Sequence, residues 1–411
     1  MLVLCYKKSM KELSGPEETC IKAFLASIKD EKMPFAEAES LAKELSGLAR
    51  VLGLEVASQE IVSVRENHAK YGMGTGKAKA LAEKAASLGV DCIIFDIDIS
   101  PSRQRNWEEL AGIPVIDRQG LIIQIFASRA RTREAALQVS LAELVYALPR
   151  LRHKYLDLGR QRGGRYGTRG SGETRLETDR RRVEQQIHRL QEQLEKLKAQ
   201  RGLQRKQREK SGVPVCALVG YTNAGKSSLL NALTGAGVLT EDKLFATLDS
   251  TSRRLKLPGG MQVLLVDTVG FIRRLPHSLV NAFRSTLEEL CSADLLINVL
   301  DASESDTDAQ YSTTLSVLRE LNAGEIPMVT VLNKIDKTNY DKTSSIDKIS
   351  SIDKASAIDK TNSIEALLKL YPGSLPISAV NGTGLAELCM RIEKTLVQRK
   401  NLHHKGSFVH E

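Results

Sequence analysis

The sequence is poor in aromatic residues. Phenylalanine, tyrosine and tryptophan make up 4% of the 411 residues, and there is one tryptophan. Sugar binders and aromatic cages for methylated cations depend on aromatic faces, so both classes of protein are disfavoured. Hydrophobic residues still make up 42% of the chain, so the cores must be built mainly from aliphatic side chains.

The sequence also lacks closely spaced cysteines. Its six cysteines are Cys5, Cys20, Cys92, Cys216, Cys291 and Cys389. No two of them have CxxC spacing, and the seven histidines do not cluster near them. This pattern argues against a zinc site or a disulfide framework and is typical of a reducing compartment.

Long apolar runs are missing as well. The start of the chain is apolar for only five residues before Lys7, and no run of 18 apolar residues follows. A signal peptide needs a longer apolar region, and so does a membrane span. The sequence therefore predicts a soluble, cytoplasmic protein without a membrane-spanning segment.

Positive charge is unevenly distributed along the chain. The net charge is +9, but Arg150 to Lys210 alone holds 19 Lys and Arg against 8 Asp and Glu, a net of +11, which leaves −2 for the rest. A basic segment of this kind indicates a polyanionic partner, most simply nucleic acid. The alternative is a solvated helical face.

Residues 1–117 alternate helical and strand patterns. Val90–Asp98 and Ile113–Ile116 have the composition of buried strands, and Ser102–Leu110 that of a helix. This order predicts an α/β domain with a small parallel sheet. The glycine-rich segment Tyr71–Lys77 matches neither GxGxxG nor GxxxxGK, and we interpret it as a tight turn before a helix.

Residues 118–210 show two heptad patterns, from Leu137 to Leu158 and from Val183 to Leu197, in which apolar residues recur in steps of four and three. Two such helices predict an antiparallel coiled-coil hairpin. The connecting loop, 159–173, holds six glycines and four arginines.

That loop is a candidate RNA contact. Glycine lets the backbone approach a surface closely, and arginine matches phosphates bidentately and stacks on bases. The predicted contact residues are Arg160, Arg162, Arg165, Tyr166 and Arg169. The alternative is a flexible tip with no ligand.

Residues 211–397 again alternate strands and helices, and we expect a flexible tail at 398–411. Three Ile-Asp-Lys repeats at a period of six lie between 345 and 360. We interpret this Ser/Asp/Lys-rich stretch as a low-complexity surface insertion without a catalytic role.

A phosphate-binding loop opens this last region. The buried strand Val215–Gly220 runs into GxxxxGKS, which ends at Lys226 and Ser227, and a helical pattern follows. In such a loop the backbone N–H groups surround the phosphates, the lysine reaches the β- and γ-phosphates, and the serine hydroxyl binds Mg²⁺.

Three further motifs indicate GTP rather than ATP. Asp267–Gly270 is a DxxG motif at the end of a strand, where the glycine N–H can meet the γ-phosphate. Asp336, in Asn333–Asp336, can accept both guanine N1–H and N2–H, and adenine lacks the 2-amino group. Ser378 and Ala379 follow the next strand pattern and place a backbone N–H near guanine O6.

A threonine is expected to complete the magnesium shell and sense the γ-phosphate. Thr247 is the first choice and Thr251 the alternative. In Ras-like proteins the position after the DxxG glycine carries a glutamine that orients the attacking water. Phe271 occupies it here, and so we expect slow intrinsic hydrolysis that depends on a partner.

These motifs together resemble the HflX family of ribosome-associated GTPases over about residues 40–395. The most specific segments are Gly220–Ser227, Phe245–Asp249, Asp267–Ile272 and Arg165–Arg182. The resemblance implies an N-terminal α/β domain, a helical hairpin and a doubly wound P-loop G domain. It also implies Mg²⁺-dependent GTP hydrolysis, binding of the large (50S) ribosomal subunit through rRNA, and a role in ribosome splitting or rescue.

The predicted site follows from the motifs and the resemblance. The predicted GTP-binding residues are Gly220, Tyr221, Thr222, Asn223, Ala224, Gly225, Lys226, Ser227, Phe245, Ala246, Thr247, Leu248, Asp249, Asp267, Thr268, Val269, Gly270, Asn333, Lys334, Ile335, Asp336, Ser378, Ala379 and Val380. Ser227 and Thr247 are the predicted metal ligands. Lys226, Thr247 and Gly270 are the predicted catalytic residues.

Two other functions remain open at this stage. The same motifs and basic loop suit a GTPase that assembles the 50S subunit on precursor particles. A GTP-regulated scaffold, whose hairpin pairs with another protein, is the third possibility. We expect a monomer that binds GTP and GDP.

Overall fold

The computed structural model of the protein describes residues 20–151, 169–235, 244–245, 251–274, 290–338 and 364–406. The chain divides into two compact units, Met1–Ala199 with Pro276–Ala282, and Gln200–Leu275 with Phe283–Glu411. Within the described residues, no helix combines the length and the apolar character that crossing a bilayer would require.

The first unit contains a parallel four-stranded sheet in the order β2-β1-β3-β4. The small parallel sheet expected from the sequence is therefore confirmed. Its elements are β1 (Lys22–Lys29), α1 (Phe35–Val51), β2 (Glu55–Ser63), α2 (Thr75–Ser87), β3 (Cys92–Phe95), α3 (Pro101–Ala111), β4 (Val115–Ile116), α4 (Arg118–Arg129), α5 (Arg133–Ala147) and the first part of α6 (Arg169–Ser211).

Trp107 anchors the core on one face of this sheet. It is 1% exposed and packs against Phe95 and Tyr71, with ring centroids 5.0 and 5.4 Å away. The Trp107 indole N–H donates to the Tyr71 carbonyl oxygen at 3.0 Å. This bond holds the glycine-rich turn that leads into α2, in agreement with the interpretation of that segment as a turn.

A buried carboxylate closes the carboxyl end of the sheet. Asp117 caps α4 through the Gly120 N–H (2.8 Å) and also accepts from the Tyr146 hydroxyl (2.7 Å) and the Arg150 guanidinium (2.8 Å). The Arg150 guanidinium carbon also lies 3.5 Å from the centroid of the Tyr146 ring. These bonds fasten the end of α5 and the 3₁₀ turn after it to the sheet.

The first heptad helix of the predicted hairpin is interrupted in the structure. Residues 118–147 form two helices, α4 and α5, and a 3₁₀ turn follows at Leu148–Arg150. α4 packs against α1 and β3, so it belongs to the sheet and not to a coiled coil. The fully buried residues of α5 include Val139 and Ala142, whereas the predicted seam residue Leu141 is half-buried.

The second predicted helix begins earlier than expected. α6 starts at Arg169, inside the predicted loop 159–173, so the last part of that loop is helical. Along α6 from 177 to 200, half-buried positions recur at the predicted stripe while most of the others are exposed. The half-buried apolar residues are Val183, Ile187, Leu190, Leu194 and Leu197.

The second unit contains a six-stranded sheet in the order β10-β9-β8-β5-β7-β6, in which only β6 is antiparallel to its neighbour. Its elements after α6 are β5 (Val215–Gly220), α7 (Lys226–Thr234), β6 (Thr251–Lys256), β7 (Gln262–Asp267), β8 (Leu295–Asp301), α8 (Thr307–Glu320), β9 (Met328–Asn333), α9 (Ile364–Leu370), β10 (Leu375–Pro376) and α10 (Leu385–Gly406). Because α10 continues to Gly406, residues 398–406 of the predicted tail are helical.

Aliphatic side chains of β5, β8 and β9 pack against α7 and α10 to form the core of this unit. Strands β5, β7, β8, β9 and β10 are parallel, so their carboxyl ends meet at one edge of the sheet. In open parallel sheets ligands bind at that edge, where the strand order reverses direction. The predicted phosphate-binding loop, Asp267–Gly270, Asn333–Asp336 and Ser378–Ala379 lie at these strand ends.

Candidate nucleotide-binding site

Two glycines give the loop after β5 its shape. Gly220 and Gly225 have φ values of 139° and 91°, which favour glycine. A Cβ on Gly220 would lie 2.3 Å from the Val299 carbonyl oxygen, and one on Gly225 would lie 2.3 Å from the Asn333 Nδ2. Both positions therefore require glycine for space as well as for conformation.

Lys226 begins α7 and is 6% exposed. Its ammonium donates to the carbonyl oxygens of Gly220 (3.2 Å) and Tyr221 (2.8 Å). Burial lowers the pKa of Lys226 from 10.5 to about 8, an effect that the Asp267 carboxylate opposes and the Lys334 ammonium reinforces. The loop thus holds a buried cation whose charge an anionic ligand would stabilise.

The carboxyl end of β7 places an acidic group beside the loop. The Ser227 hydroxyl donates to Asp267 Oδ2 at 2.5 Å, and Asp267 is fully buried. Thr251, the alternative switch threonine, is the first residue of β6 and pairs with Asp267 across the antiparallel ladder. A hydroxyl and a carboxylate together offer the hard oxygen donors that Mg²⁺ prefers.

Gly270 and Phe271 pack tightly against the phosphate-binding loop. A Cβ on Gly270 would lie 2.7 Å from the Thr222 Cα and 2.9 Å from the Lys226 Nζ. The Phe271 N–H donates to the Gly220 carbonyl oxygen at 3.0 Å, and its carbonyl oxygen accepts from the Thr222 N–H at 2.8 Å. The Phe271 side chain is 1% exposed, so it belongs to the core.

Asn333 joins the phosphate side of the site to the base side. Its Nδ2 donates to the Ala224 carbonyl oxygen at 2.9 Å, and its Oδ1 accepts from the Ala379 N–H at 3.1 Å. The buried Ser378 hydroxyl donates to Asp336 Oδ1 at 2.5 Å and orients that carboxylate. The structure therefore brings the predicted base-reading residues together with the loop.

Sequence reasoning missed Asp301, the last residue of β8. Its Oδ2 lies 2.7 Å from the Lys334 ammonium, and its Oδ1 accepts from both the N–H and the hydroxyl of Ser303. Lys334 itself has a φ of 63°, a left-handed conformation for a lysine. Asp301 could have been found in the sequence as an aspartate at the carboxyl end of a buried strand, next to the strands that carry the predicted motifs.

Several predicted residues lie outside the part of the chain that the structure describes. These are Ala246, Thr247, Leu248, Asp249, Arg160, Arg162, Arg165 and Tyr166. Phe245 is described and is 2% exposed, with a φ of 57°. Val380, predicted to bind GTP, is 79% exposed.

Three features define the class of this domain. They are a phosphate-binding loop after the central strand, a buried DxxG motif and an Asn-Lys-x-Asp motif that lies close to that loop. The second unit is a P-loop GTPase domain of the doubly wound type.

Comparisons with known proteins also cover regions outside this domain. Residues 39–127, 129–208 and 215–334 match family models described as "GTP-binding GTPase N-terminal", "GTP-binding GTPase Middle Region" and "50S ribosome-binding GTPase". The GTPase HflX of Akkermansia muciniphila is 45% identical over 334 residues, which cover 80% of this chain and 76% of that relative.

A second relative, the GTPase HflX of Escherichia coli (strain K12), is 45% identical over 72% of this chain and 69% of its own length. Among solved structures, a GTP-binding protein from the archaeon Sulfolobus solfataricus in complex with GDP aligns over 92% of this chain and 99% of that one. The alignment has 25% identity and a TM-score of 0.45. From the sequence relatives, the chain belongs to the HflX family of GTPases and is a GTP hydrolase.

Proposed function

We propose that this GTPase binds the large (50S) ribosomal subunit in the cytoplasm and acts in ribosome splitting or rescue. The observation that carries the proposal is the match of residues 215–334 to a domain described as a 50S ribosome-binding GTPase. The basic segment from Arg150 to Lys210 supports it independently, since a net charge of +11 suits rRNA. Arg160, Arg162, Arg165, Tyr166 and Arg169 are the proposed RNA contacts.

The proposed nucleotide complex uses groups that the structure brings together. Lys226 binds the β- and γ-phosphates, the Gly270 N–H meets the γ-phosphate, and Asp336 reads the guanine edge. Ser378 holds the Asp336 carboxylate in place, and the Ala379 N–H, which Asn333 fixes, lies on the base side of the site.

Magnesium is the proposed cofactor. The adjacent oxygens of Ser227 and Asp267 fit a hard cation, and Thr247 is the proposed further ligand from the segment after Phe245. When bound, Mg²⁺ neutralises negative charge on the β- and γ-phosphates. The protein's own groups bind and orient the phosphates around it.

Slow intrinsic turnover follows from the position of Phe271. A ring that is 1% exposed and has no hydrogen-bonding atom cannot orient the attacking water. The 50S subunit would accelerate hydrolysis by fixing the switch segments or by supplying a polar group.

The test is steady-state GTP hydrolysis with and without purified 50S subunits, with 30S subunits at equal concentration as the control. We expect the 50S subunit to raise the rate at least about tenfold and the 30S subunit to leave it unchanged. Unchanged rates with GTP still tightly bound would contradict the proposal and favour the scaffold. Stronger stimulation by 50S precursors than by mature subunits would instead indicate an assembly factor.

A further inference from the structure

The phosphate-binding loop carries a buried hydroxyl for which the protein provides no partner. Thr222 is 5% exposed, and within the described residues its Oγ1 has no hydrogen-bonding atom in reach. Nearly all buried polar atoms in folded proteins are paired, and exceptions are found where a ligand supplies the missing partner. The unpaired hydroxyl therefore points to a contact with the bound nucleotide.

The neighbours of Thr222 indicate that its hydroxyl contacts the γ-phosphate of the nucleotide. A Cβ on Gly270 would lie 2.7 Å from the Thr222 Cα and 2.9 Å from its Cγ2. The same point is 2.9 Å from the Lys226 ammonium. Thr222 and the Lys226 ammonium thus both lie against Gly270, and Lys226 and Gly270 are the two residues proposed to meet the γ-phosphate. The Thr222 N–H donates to the Phe271 carbonyl oxygen at 2.8 Å, which fixes the Thr222 backbone.

Hydrolysis needs a hydrogen-bond donor to the γ-phosphoryl oxygens, which the Phe271 side chain cannot supply and the Thr222 hydroxyl can. During hydrolysis negative charge is spread over the γ-phosphoryl oxygens, and preorganised donors aimed at those oxygens stabilise the transition state. The buried phenyl ring offers no such donor. A threonine hydroxyl has one O–H to donate.

We propose that the Thr222 hydroxyl donates a hydrogen bond to a γ-phosphoryl oxygen of GTP and is a catalytic residue for its hydrolysis. In that reaction the water oxygen bonds to the γ-phosphorus as the bond from phosphorus to the β–γ bridging oxygen breaks. The electron pair of that bond stays on GDP, and both protons of the water leave with inorganic phosphate, as H₂PO₄⁻. The Thr222 contact exists with GTP and not with GDP.

The test replaces the hydroxyl without changing the size of the side chain. Thr222→Val removes the donor, and Thr222→Ser keeps it. Thr314→Val is the matched control, because Thr314 is also buried in this unit but its hydroxyl donates within its own helix, to the Gln310 carbonyl oxygen at 2.9 Å. For each variant, kcat for GTP, KM and the affinity for GDP are measured without ribosomal particles, so the result does not depend on the 50S proposal.

We expect Thr222→Val to lower kcat by about tenfold or more, since losing one transition-state donor has effects of this order. GDP affinity should stay within about twofold, and Thr314→Val should keep the rate of the unmodified protein. Thr222→Ser, which keeps the hydroxyl, should be faster than Thr222→Val. A Thr222→Val protein with unchanged kcat would overturn the proposal. An equal loss of GDP affinity would also overturn it, because it would show that the hydroxyl serves the loop and not the γ-phosphate.

Discussion

At the scale of single residues, burial sets the chemistry of the site. The Lys226 ammonium is almost excluded from water and depends on two carbonyl oxygens and the Asp267 carboxylate. Desolvation dominates, so the pKa falls to about 8. A lysine so placed gains from an anionic ligand far more than an exposed one does, because low dielectric strengthens the attraction.

The first prediction concerns the pH dependence of nucleotide binding. Phosphates stabilise the charged form of Lys226, so binding raises its pKa above the value of about 8 in the free protein. Above pH 8 the free protein has lost this proton and must take it up on binding. We therefore expect the Kd for GDP to rise between pH 7.5 and 9, by up to about tenfold per pH unit.

Calorimetric titration at several pH values, in two buffers of different ionisation enthalpy, measures both the Kd and the proton uptake. Lys226→Ala is the control, and it should bind GDP weakly with little change over this range. A flat affinity in the unmodified protein would show that Lys226 keeps its proton throughout.

At the scale of elements, α7 has a left-handed glycine at each end. Gly225 before it and Gly235 after it have φ values of 91° and 64°. Their surroundings differ, because a Cβ on Gly225 would lie 2.3 Å from Asn333 and one on Gly235 would meet nothing within 4 Å. Gly235 is therefore needed for its backbone conformation alone, whereas Gly225 is needed both for its conformation and because a side chain would not fit.

This difference predicts unequal effects of alanine. Gly235→Ala should lower the free energy of unfolding by about 1–2 kcal/mol and leave GDP affinity unchanged. Gly225→Ala should also displace Asn333 from Ala224 and Ala379, and the loss of two hydrogen bonds should weaken GDP binding by about tenfold to a hundredfold. Urea unfolding and GDP titration of both variants check this, and equal affinities would contradict the steric role of Asn333.

At the scale of the whole molecule, charge is concentrated where the chain is proposed to meet RNA. Replacing Arg162, Arg165 and Arg169 by alanine should weaken 50S association and leave nucleotide binding intact. The association of the unmodified protein should fall steeply with salt, as counterion release requires, and the slope should become shallower in the variant.

The matched control removes three arginines from the N-terminal half of α6. Arg180, Arg181 and Arg182 lie near Glu184, Glu177 and Asp179, respectively, at 2.8, 2.8 and 3.5 Å. Their replacement changes the net charge by the same amount, but we expect a smaller effect because these charges are already paired. Equal losses in sedimentation with 50S subunits would mean that net charge, and not the loop, carries the contact.

Much of the candidate site could be predicted from the sequence because each of its motifs is contiguous. The phosphate-binding loop, Asp267–Gly270 and Asn333–Asp336 each carry their chemistry within a few residues of a strand end. Parallel strands then bring these ends to one edge without further information. The four-three stripe of α6 was predictable for the same reason, since helical spacing is local.

Only the tertiary structure determined which residues far apart in the sequence form hydrogen bonds and ion pairs. Asn333 bonds Ala224 across 109 positions of the chain, and Asp301 was not recognisable as the partner of Lys334 until β8 and β9 were paired. Leucine spacing predicted a helix from Leu137 to Leu158, but α5 ends at Ala147 and a 3₁₀ turn follows, where Tyr146 and Arg150 are bonded to Asp117. Local patterns thus determined the motifs of this protein, and burial and long-range hydrogen bonds determined how they are joined.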